Sequence, residues 1–367
     1  MTGREKQILE IIQEDPMISQ EDLAKRLDIT RTSVAVHISN LIKKGYIIGK
    51  GYVTNNSSYV SIVGGVNIDI GGKPSSELVK SDSNPGSVNI TVGGVGRNIA
   101  HNLSLLGVNT KLFTAMGSDL YAEKIKESCK ENNIDISNAK IIEGGKSSVY
   151  LFIADESGNM IMAISDMDIC EKINIPYLSS NLKSINSSPL LLIDANIPQE
   201  SIEYLCDNVN VPIFADPVST KKAVKFKNVL SKIHTLKPNL IEAELLSEIK
   251  IEDRLSLIKA GSTLLEKGVK RVFISLGAKG VFVCDEKTRF IMSPYPAQTI
   301  NTTGAGDAFT SGLIYSYLSG YDITKTCKYA QACAALATES KETINENISV
   351  KKAENKIDSY VVNIENI

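Results

Sequence analysis

A short segment near residue 300 combines small residues with a carboxylate in an order that suits phosphoryl transfer. It reads Asn301-Thr302-Thr303-Gly304-Ala305-Gly306-Asp307. An amphipathic run from Ala308 to Leu318 follows, so the small residues open a predicted helix. Small residues let backbone N–H groups approach a phosphate, and a helix N-terminus adds positive partial charge. Asp307 stands where it could take a proton from an attacking hydroxyl, although a glycine-rich turn with Asp as a helix cap is the alternative.

A second glycine-rich segment lies some two hundred residues earlier and is not one of the two common nucleotide-binding motifs. It reads Gly93-Gly94-Val95-Gly96-Arg97-Asn98, between a strand-like and a helix-like run. The dinucleotide fingerprint fails because its third glycine position is not filled. Gly145-Lys146-Ser147 is not a P-loop, because the glycine required five positions before Gly145 is Lys140. Any bound nucleotide would therefore be held by a motif other than these two.

The elements that must position these segments alternate between strand-like and helix-like runs. Apolar strands are predicted at 190–193, 211–215, 234–236 and 272–275, and helices at 98–106, 199–207, 240–246 and 254–267. This alternation favours a parallel sheet covered by helices on both faces. A β-rich stretch from Ser147 to Ile164, with a turn at Gly158-Asn159, interrupts it and could form part of a lid sheet.

The first 53 residues follow a different plan. Capping residues Ser19 and Thr30 precede the second and third of three predicted helices, and a small hairpin is expected over Tyr46 to Val53. Three helices and a hairpin are the layout of a winged helix-turn-helix, and the segment resembles the winged-helix domains of bacterial transcription regulators. The predicted domains are this unit at 1–53, a polar linker at 54–58 and a second domain at 59–367.

The third helix of this unit carries the groups that could contact DNA. Its polar face offers candidates for phosphates and base edges, namely Arg31, Thr32, Ser33 and His37. Through residue 53 there are eight Lys or Arg against seven Asp or Glu, so the electrostatic attraction to DNA is small. A domain kept for dimerisation, or with weakened DNA affinity, is the alternative.

Composition and charge exclude several classes of function. The net charge is −2, with 43% hydrophobic and 22% charged residues, which gives no overall signal of a nucleic-acid or membrane protein. The polar start lacks an apolar signal-peptide core, and no apolar run approaches the length of a membrane span. The six cysteines contain no CxxC pair, and the three histidines are dispersed. We therefore expect a cytoplasmic protein with reduced thiols, no zinc site and no membrane partner.

Five motifs in the right order resemble the ribokinase, or PfkB, family of sugar and nucleoside kinases. They are Gly64-Gly65-Val66-Asn67-Ile68-Asp69, Gly93-Gly94-x-Gly96-x-Asn98-x-Ala100, Lys237-Pro238-Asn239-Leu240-Ile241-Glu242, Ser275-Leu276-Gly277-Ala278-Lys279-Gly280 and Thr303-Gly304-Ala305-Gly306-Asp307. The resemblance covers residues 59 to about 350. It implies an α/β fold, a ribokinase-like parallel sheet flanked by helices with a small β lid, here preceded by the winged helix-turn-helix domain.

The resemblance also implies roles for single residues. Asp307 would be the general base, with the amides of Gly304, Ala305 and Gly306 holding the charge of the transferring phosphoryl group. The substrate-binding residues would be Asn67, Asp69, Gly93, Gly94 and Asn98. The ATP-binding residues would be Asn239, Ser275, Gly277, Gly280 and Thr303. Asn239 and Glu242 would organise Mg²⁺, mostly through water. Asn301 stands where many members carry an Asp that helps hold a monovalent cation, which leaves potassium activation open.

Further segments resemble the branch of the family that phosphorylates pseudouridine. They are Asp69-Ile70-Gly71-Gly72-Lys73-Pro74, Asp82-Ser83-Asn84-Pro85-Gly86, Asp216-Pro217-Val218-Ser219-Thr220 and His234-Thr235-Leu236-Lys237-Pro238-Asn239. The implied reaction is phosphorylation of the 5′-hydroxyl of this nucleoside by ATP, in a homodimer. One alternative is a kinase for inosine, guanosine, adenosine or a sugar such as ribose. The other is a transcription regulator whose kinase-like domain senses a ligand.

Overall fold

The N-terminal part of the chain is a three-helix unit with its own hydrophobic core. The computed structural model describes residues 1–48, 58–156 and 160–367. Helices α1 (Gly3–Glu14), α2 (Gln20–Leu27) and α3 (Arg31–Lys43) confirm the three predicted helices, and the side chains of their cap residues accept backbone N–H groups. Ile8, Leu23 and Leu41 are fully buried between them. Most of the predicted hairpin and linker, and the Gly158-Asn159 turn, lie outside the described residues.

The rest of the chain alternates strands and helices as the sequence predicts. The strands are β1 (Val60–Val63), β2 (Asn67–Pro74), β3 (Gly86–Gly93), β4 (Thr110–Phe113), β5 (Ala115–Met116), β6 (Ile134–Asp135), β7 (Lys140–Ile141), β8 (Val149–Ala154), β9 (Met160–Asp166), β10 (Leu191–Asp194), β11 (Ile213–Asp216), β12 (Thr235–Leu236), β13 (Arg271–Ser275), β14 (Val281–Asp285), β15 (Arg289–Met292) and β16 (Ile364–Asn366). The helices are α4 (Val95–Leu105), α5 (Leu120–Glu131), α6 (Ile175–Asn186), α7 (Gln199–Asn208), α8 (Thr220–Ala223), α9 (Leu240–Ser247), α10 (Arg254–Glu266), α11 (Ala305–Leu318), α12 (Ile323–Thr338) and α13 (Val350–Ser359).

The main sheet has a point at which the strand order reverses. Its order is β16-β15-β14-β13-β12-β11-β10-β1-β4-β6, parallel from β13 to β6 and antiparallel from β13 to β16. The chain builds outward from β1 to β4 and β6 on one side, then returns to place β10 on the other. Ligands of open α/β sheets bind beyond the carboxyl ends of strands at such a reversal, here between β1 and β10.

Both faces of the main sheet are covered by helices because its strands are apolar on both sides. In β10, Leu192 packs into the core shared with α4, α11 and α12, whereas Leu191 and Ile193 pack into the core shared with α6, α7 and α10. Near-continuous apolar strands are typical of parallel sheets buried on both faces. This confirms the predicted layering. None of the helices within the described ranges is long and apolar enough to span a membrane.

A smaller sheet stands apart from the main one and forms the lid. Its order is β3-β2-β8-β9, so the β-rich stretch of the sequence supplies only two of its four strands. Strands β2 and β3 supply the others, pairing antiparallel from Asn67 opposite Gly93 to Pro74 opposite Gly86. Asn67 and Asp69 therefore lie on a lid strand, a strand that was not predicted from the sequence. Strand β2 could not be predicted from the sequence because it contains two glycines, and glycine is depleted in strands.

Candidate active site

Two carboxylates mark the carboxyl ends of adjacent strands at the point of strand reversal. Asp194 of β10 and Asp216 of β11 are register partners, and both are buried. Asp194 accepts backbone N–H bonds from Gly65 at 2.9 Å and from Gly96 at 2.8 Å. It thereby ties the loop after β1 to the first turn of α4, although burial raises its pKa. The sequence analysis gave neither carboxylate a role.

The residues predicted to bind the sugar do come together beside this point. Asn67 Nδ2 donates to Asp69 Oδ1 at 2.6 Å, and burial raises the pKa of Asp69. An ideal Cβ on Gly93 would lie 2.0 Å from Asp69 Oδ2, so only glycine allows that carboxylate to sit there. Gly94 has φ +98°, and its Cβ would lie 2.6 Å from the carbonyl oxygen of Gly65. The two glycines thus let the lid strand, the loop after β1 and α4 meet.

The two glycine-rich motifs meet at a single hydrogen bond. Asn98 Nδ2, in the first turns of α4, donates to Asp307 Oδ2 at 2.9 Å across 209 residues of sequence. Asp307 lies in the first turn of α11. Its side chain is not the cap of that helix, because the cap position is Gly304, without a side-chain hydrogen bond. The alternative interpretation of Asp307 as a capping residue therefore does not fit the structure.

The surroundings of Asp307 are those of a base that titrates near neutral pH. Burial and the carboxylate of Asp216 raise its pKa to about 7, while the hydrogen bond from Asn98 and the charge of Lys237 act in the opposite direction. A general base works best when its pKa lies near the working pH. A carboxyl group with such a pKa suits proton transfer better than one that is permanently charged.

The start of α11 offers backbone N–H groups to an anion. Gly304 has φ +81°, and an ideal Cβ on it would lie 2.1 Å from the carbonyl oxygen of Thr343. The loop therefore requires glycine at this position. The N–H groups of the first turn of a helix have no intrahelical partners and point at whatever lies before it. Together with Ala305 and Gly306, this turn can hold a phosphoryl group next to Asp307.

A buried lysine that the sequence analysis quoted without a role lies under this turn. Lys237 Nζ is 3.3 Å from Asp216 Oδ2 and 3.3 Å from the position of an ideal Cβ on Gly306. Burial opposes its charge, but the carboxylates of Asp216 and Asp307 raise its pKa, so it stays protonated. Thr310 Oγ1 also donates to Asp216 Oδ2, at 3.1 Å. A fixed positive charge therefore stands beside the anion-binding turn.

A cavity of about 550 Å³ extends from this turn along α12 and the ends of β13 and β15. Of the predicted ATP-binding residues, Ser275, Gly277 and Gly280 line it, whereas Asn239 and Thr303 do not. Thr302, the neighbour of Thr303, lines it too. Tyr295 and Gln331 line it as well, and neither was predicted, because both stand outside the five motifs. The other lining residues are Lys237 and a set that is mostly small or apolar, namely Ala278, Val281, Pro294, Ala297, Thr299, Ala305, Gly306, Phe309, Ala334, Ala335 and Thr338. The volume and lining suit a nucleotide, with its phosphates toward α11.

The two predicted magnesium-organising residues cap a helix. Asn239 Oδ1 accepts the N–H of Glu242 at 2.9 Å, and Glu242 Oε2 accepts the N–H of Asn239 at 2.9 Å. A β-bridge joins Asn239 to Ser275, which places this cap beside the nucleotide cavity. No group of three or more His, Cys, Asp or Glu side chains within the described ranges could hold a metal ion by itself. Mg²⁺ would therefore be held largely by phosphate oxygens and water, with Glu242 as the nearby carboxylate.

Asn301 has both ends of its side-chain amide engaged. Its Nδ2 donates to the carbonyl oxygen of Lys341 at 3.0 Å, and its Oδ1 accepts the N–H of Thr303 at 2.9 Å. These bonds join the loop before α11 to the loop after α12. They give Asn301 a structural role and do not bear on whether potassium activates the protein.

The inner face of the lid carries an aromatic pair. Asp69 is the register partner of Tyr150, so both side chains project from the same face of the lid sheet. Phe152 follows on that face, over Gly71, with ring centroids of Tyr150 and Phe152 6.1 Å apart. An apolar aromatic surface therefore borders the sugar-binding carboxylate. Ser165 is the partner of Tyr150 in β9 and shares this face.

The predicted DNA-contacting residues lie on α3 with different exposures. Arg31 and Thr32 are exposed, whereas Ser33 and His37 are half-buried. The Ser33 hydroxyl lies 2.9 Å from Thr30 Oγ1 within the helix cap. The exposed face also includes a residue missed by the sequence analysis, Val36, which is 55% exposed.

Comparison with known proteins agrees with both parts of the chain. A family model described as pfkB family carbohydrate kinase matches residues 57–350, and one described as winged helix-turn-helix DNA-binding matches residues 1–48. An uncharacterized sugar kinase of Escherichia coli is 36% identical over 96% of this chain and 98% of its own length. A pseudouridine kinase of the same organism is 38% identical over 80% of this chain and 94% of its own. A carbohydrate kinase from Agrobacterium tumefaciens has a similar structure, with a TM-score of 0.73 at 26% identity over 84% of this chain and all of that one.

Proposed function

Because the chain belongs to the pfkB family of carbohydrate kinases, we propose that it transfers the terminal phosphoryl group of ATP to the 5′-hydroxyl of pseudouridine. Family membership and the two bacterial relatives make it a phosphotransferase that acts on a hydroxyl of a sugar or nucleoside. The observation that carries the assignment of the site is the 2.9 Å hydrogen bond between Asn98 and Asp307. It brings the sugar-binding motif and the phosphate-binding turn to one point.

In the proposed reaction, Asp307 accepts the proton of the 5′-hydroxyl as the oxygen attacks phosphorus. Asn98 holds the carboxylate in place through Oδ2, which leaves Oδ1 free for the substrate. Asp69 accepts hydrogen bonds from two sugar hydroxyls, since an ionised carboxylate has about four acceptor positions. Substrate orientation and proton removal are thus provided by three side chains from the lid, α4 and α11.

The negative charge of the transferring group is held by the first turn of α11 and by Lys237. Backbone N–H groups and a lysine fixed before the substrate arrives need no reorganisation during transfer, which is why such groups lower barriers strongly. Asp216 holds Lys237 in position at 3.3 Å. Mg²⁺ bound with ATP would neutralise part of the phosphate charge, with Asn239 and Glu242 on the nucleotide side of the site.

Two observations favour a nucleoside over a free sugar. The aromatic pair Tyr150 and Phe152 lies on the face of the lid that carries Asp69, where a base attached to the sugar could stack. The pseudouridine kinase relative is the second support. Which polar groups read the base is a further part of the proposal, with Ser165 as the candidate because it lies on the same face.

The test is ATP-dependent phosphorylation of pseudouridine, uridine, inosine, guanosine, adenosine and ribose by the full chain. Uridine is the sharpest comparison, because it has the same sugar and differs from pseudouridine only in how the base is attached. We expect preference for pseudouridine, with Asp307→Asn protein prepared in parallel to exclude a contaminating kinase. Preference for another substrate would leave the proposed mechanism in place and contradict pseudouridine as the substrate. No turnover with any of them would favour a ligand-sensing regulator.

We also propose that the N-terminal unit binds DNA and that the protein is a homodimer. The family-model match over 1–48 and the exposed Arg31 and Thr32 support DNA binding. The outer face of the lid supports self-association because it exposes a contiguous apolar set. Its members are Val88, Ile90, Leu151, Met162 and Ile164, each 39% exposed or more. Light scattering of the full chain tests the dimer, with Ile164→Lys as the variant expected to yield monomers.

A further inference from the structure

Arg97 is a nearly enclosed charge behind the sugar-binding residues. Its residue surface is 5% exposed, and its guanidinium joins three elements. Nη2 donates to Ser128 Oγ of α5 at 2.7 Å, and Nη1 donates to the carbonyl oxygen of Val92 at 3.3 Å, near the end of β3. Nη1 also donates to Asn98 Oδ1 at 3.5 Å. Arg97 therefore contacts the side chain that donates to the Asp307 carboxylate.

The guanidinium decides which way the Asn98 amide points. Arginine donates hydrogen bonds and never accepts them, so the amide oxygen must face Arg97 and the amide nitrogen must face Asp307. We propose that Arg97 is a positioning residue that locks the Asn98 amide in the orientation that donates to the catalytic carboxylate. The inference rests on the proposed function of the site, because it takes Asp307 as the base.

The orientation matters because Asp307 gains a proton during transfer. A protonated carboxyl can donate, and an unrestrained Asn98 amide could turn by about 180° and accept that proton with Oδ1. Such a turn would stabilise the protonated, inactive form of the base. With Arg97 in place, the turn would bring the amide N–H groups against a guanidinium that only donates. Asn98 therefore supports only the ionised, active form.

The other groups around Asp307 show how much this bond matters. Asp216 at the end of β11 and Asp194 at the end of β10 both raise the pKa of Asp307, in addition to burial. The hydrogen bond from Asn98 and the charge of Lys237 lower it. Arg97 also lowers the pKa of Asp69 against the effect of burial. Removing Arg97 should therefore favour the protonated forms of both carboxylates that receive the substrate.

The buried charge of Arg97 lowers the stability of the fold, so a purely structural role does not explain it. Burial lowers its pKa, its Nε has no hydrogen-bond partner, and no carboxylate of the described residues lies within ion-pair distance of it. Replacing buried charges by apolar side chains of similar volume is often neutral or stabilising. A methionine could fill the same space, so the charge is better explained by its effect on Asn98.

The test is a double-mutant cycle of Arg97→Met and Asn98→Ala in the full chain. In the wild-type background we expect Arg97→Met to lower kcat/KM for the nucleoside by roughly 10- to 100-fold, with KM for ATP changed less than about twofold. In the Asn98→Ala background the same change should cost no more than about threefold, because Arg97 acts mainly through that amide and only its effect on the pKa of Asp69 remains. Independent losses that multiply would overturn the proposal. Arg271→Met, at the far end of β13, is the matched control and should behave as wild type.

A second readout does not need turnover. The Asp307 carboxyl is followed by ¹³C NMR over a pH titration, its resonance assigned by its loss in Asp307→Asn. We expect its pKa to rise by roughly half a unit or more in Arg97→Met, and an unchanged pKa would contradict the proposal. If Arg97→Met does not fold, Arg97→Gln takes its place, since its amide both donates and accepts, no longer fixes the orientation of Asn98 and should give the same shift. An inactive wild type with the shifted pKa would overturn the kinase proposal but not this one.

Discussion

At the residue scale, Asp307 decides the pH dependence of the reaction. Its pKa of about 7 means that it is mostly protonated in acid, and a protonated carboxyl cannot accept the substrate proton. We therefore expect kcat to rise about tenfold per pH unit up to about pH 7 and to level off above it. Asp307→Asn should bind nucleoside normally, lose at least about 100-fold in kcat and lose this acid limb. Steady-state kinetics across pH and titration calorimetry measure both.

The control for this prediction is a carboxylate that only caps a helix. Asp322 precedes α12, accepts the N–H of Lys325 at 2.8 Å and belongs to none of the five motifs. Asp322→Asn should cost some thermal stability and leave the pH profile unchanged. If Asp307→Asn behaved in the same way, Asp307 would not be the base.

The second prediction at this scale separates the charge of Lys237 from its contribution to folding. Lys237→Met removes the cation beside the phosphate-binding turn and leaves Asp216 buried without its ion pair. We expect kcat to fall by roughly 100- to 1,000-fold and the midpoint of thermal unfolding to fall as well. In the double variant Asp216→Asn/Lys237→Met the buried charge is gone, so the midpoint should recover toward that of the wild type while kcat stays low. Recovery of both would make Lys237 a purely structural residue.

At the element scale, the lid offers a pair of neighbouring glycines that test its inner face. An ideal Cβ on Gly71 would lie 2.5 Å from the Phe152 ring, whereas one on Gly72 meets only the Phe152 carbonyl oxygen, at 3.9 Å. Gly71→Ala must therefore displace the ring, and Gly72→Ala need not. We expect Gly71→Ala to raise KM for the nucleoside about fivefold with KM for ATP unchanged, because roughly 1 kcal/mol of stacking is lost. Gly72→Ala is the matched control, and equal effects of the two would contradict an aromatic base platform.

The elements also show which parts of the site a sequence can reveal. The apolar strands and the α11 turn could be predicted because their signals are local: continuous apolar runs, and small residues before an amphipathic helix. Strand β2 could not, since Gly71 and Gly72 suppress its β propensity and its pairing with β3 and β8 is long-range. The sequence shows the two motifs that carry Asn98 and Asp307, but not the hydrogen bond that joins them.

Buried charges were the least predictable part of the site. In the sequence, Asp194 and Asp216 look like ordinary polar residues at the ends of apolar runs, and Arg97 stands inside a glycine-rich motif with no sign of its burial. Their roles depend on burial and on partners distant in sequence, such as the N–H of Gly65 for Asp194 and the Nζ of Lys237 for Asp216. The pattern and spacing of residues in the sequence carry no information on burial or on distant partners. The roles of these residues can therefore be recognised only from the folded structure.

At the scale of the whole molecule, the winged helix adds a second surface to a chain whose chemistry is complete without it. All the residues of the proposed transfer lie after residue 60, whereas α1 to α3 pack around a separate core. Glu5 of this unit is buried and bonded to Lys44 at 2.7 Å, which fixes the start of α1 to the end of α3. Such an arrangement keeps α3 in a defined position for an external partner, and DNA is the partner that its family match favours.

The last prediction therefore concerns DNA and should be independent of catalysis. A duplex selected by the full chain from a randomised pool, labelled with a fluorophore, serves as the probe. Arg31→Ala should weaken its binding and lower the slope of log affinity against log salt by about one, since a phosphate contact releases about one counterion. Lys6→Ala is the matched control, because it also removes one positive charge, from a lysine of α1 whose Nζ lies 3.9 Å from Glu10 Oε1. It should leave the slope unchanged. Both variants should keep wild-type kcat. Failure of the wild type to select any duplex would instead favour a domain retained for self-association.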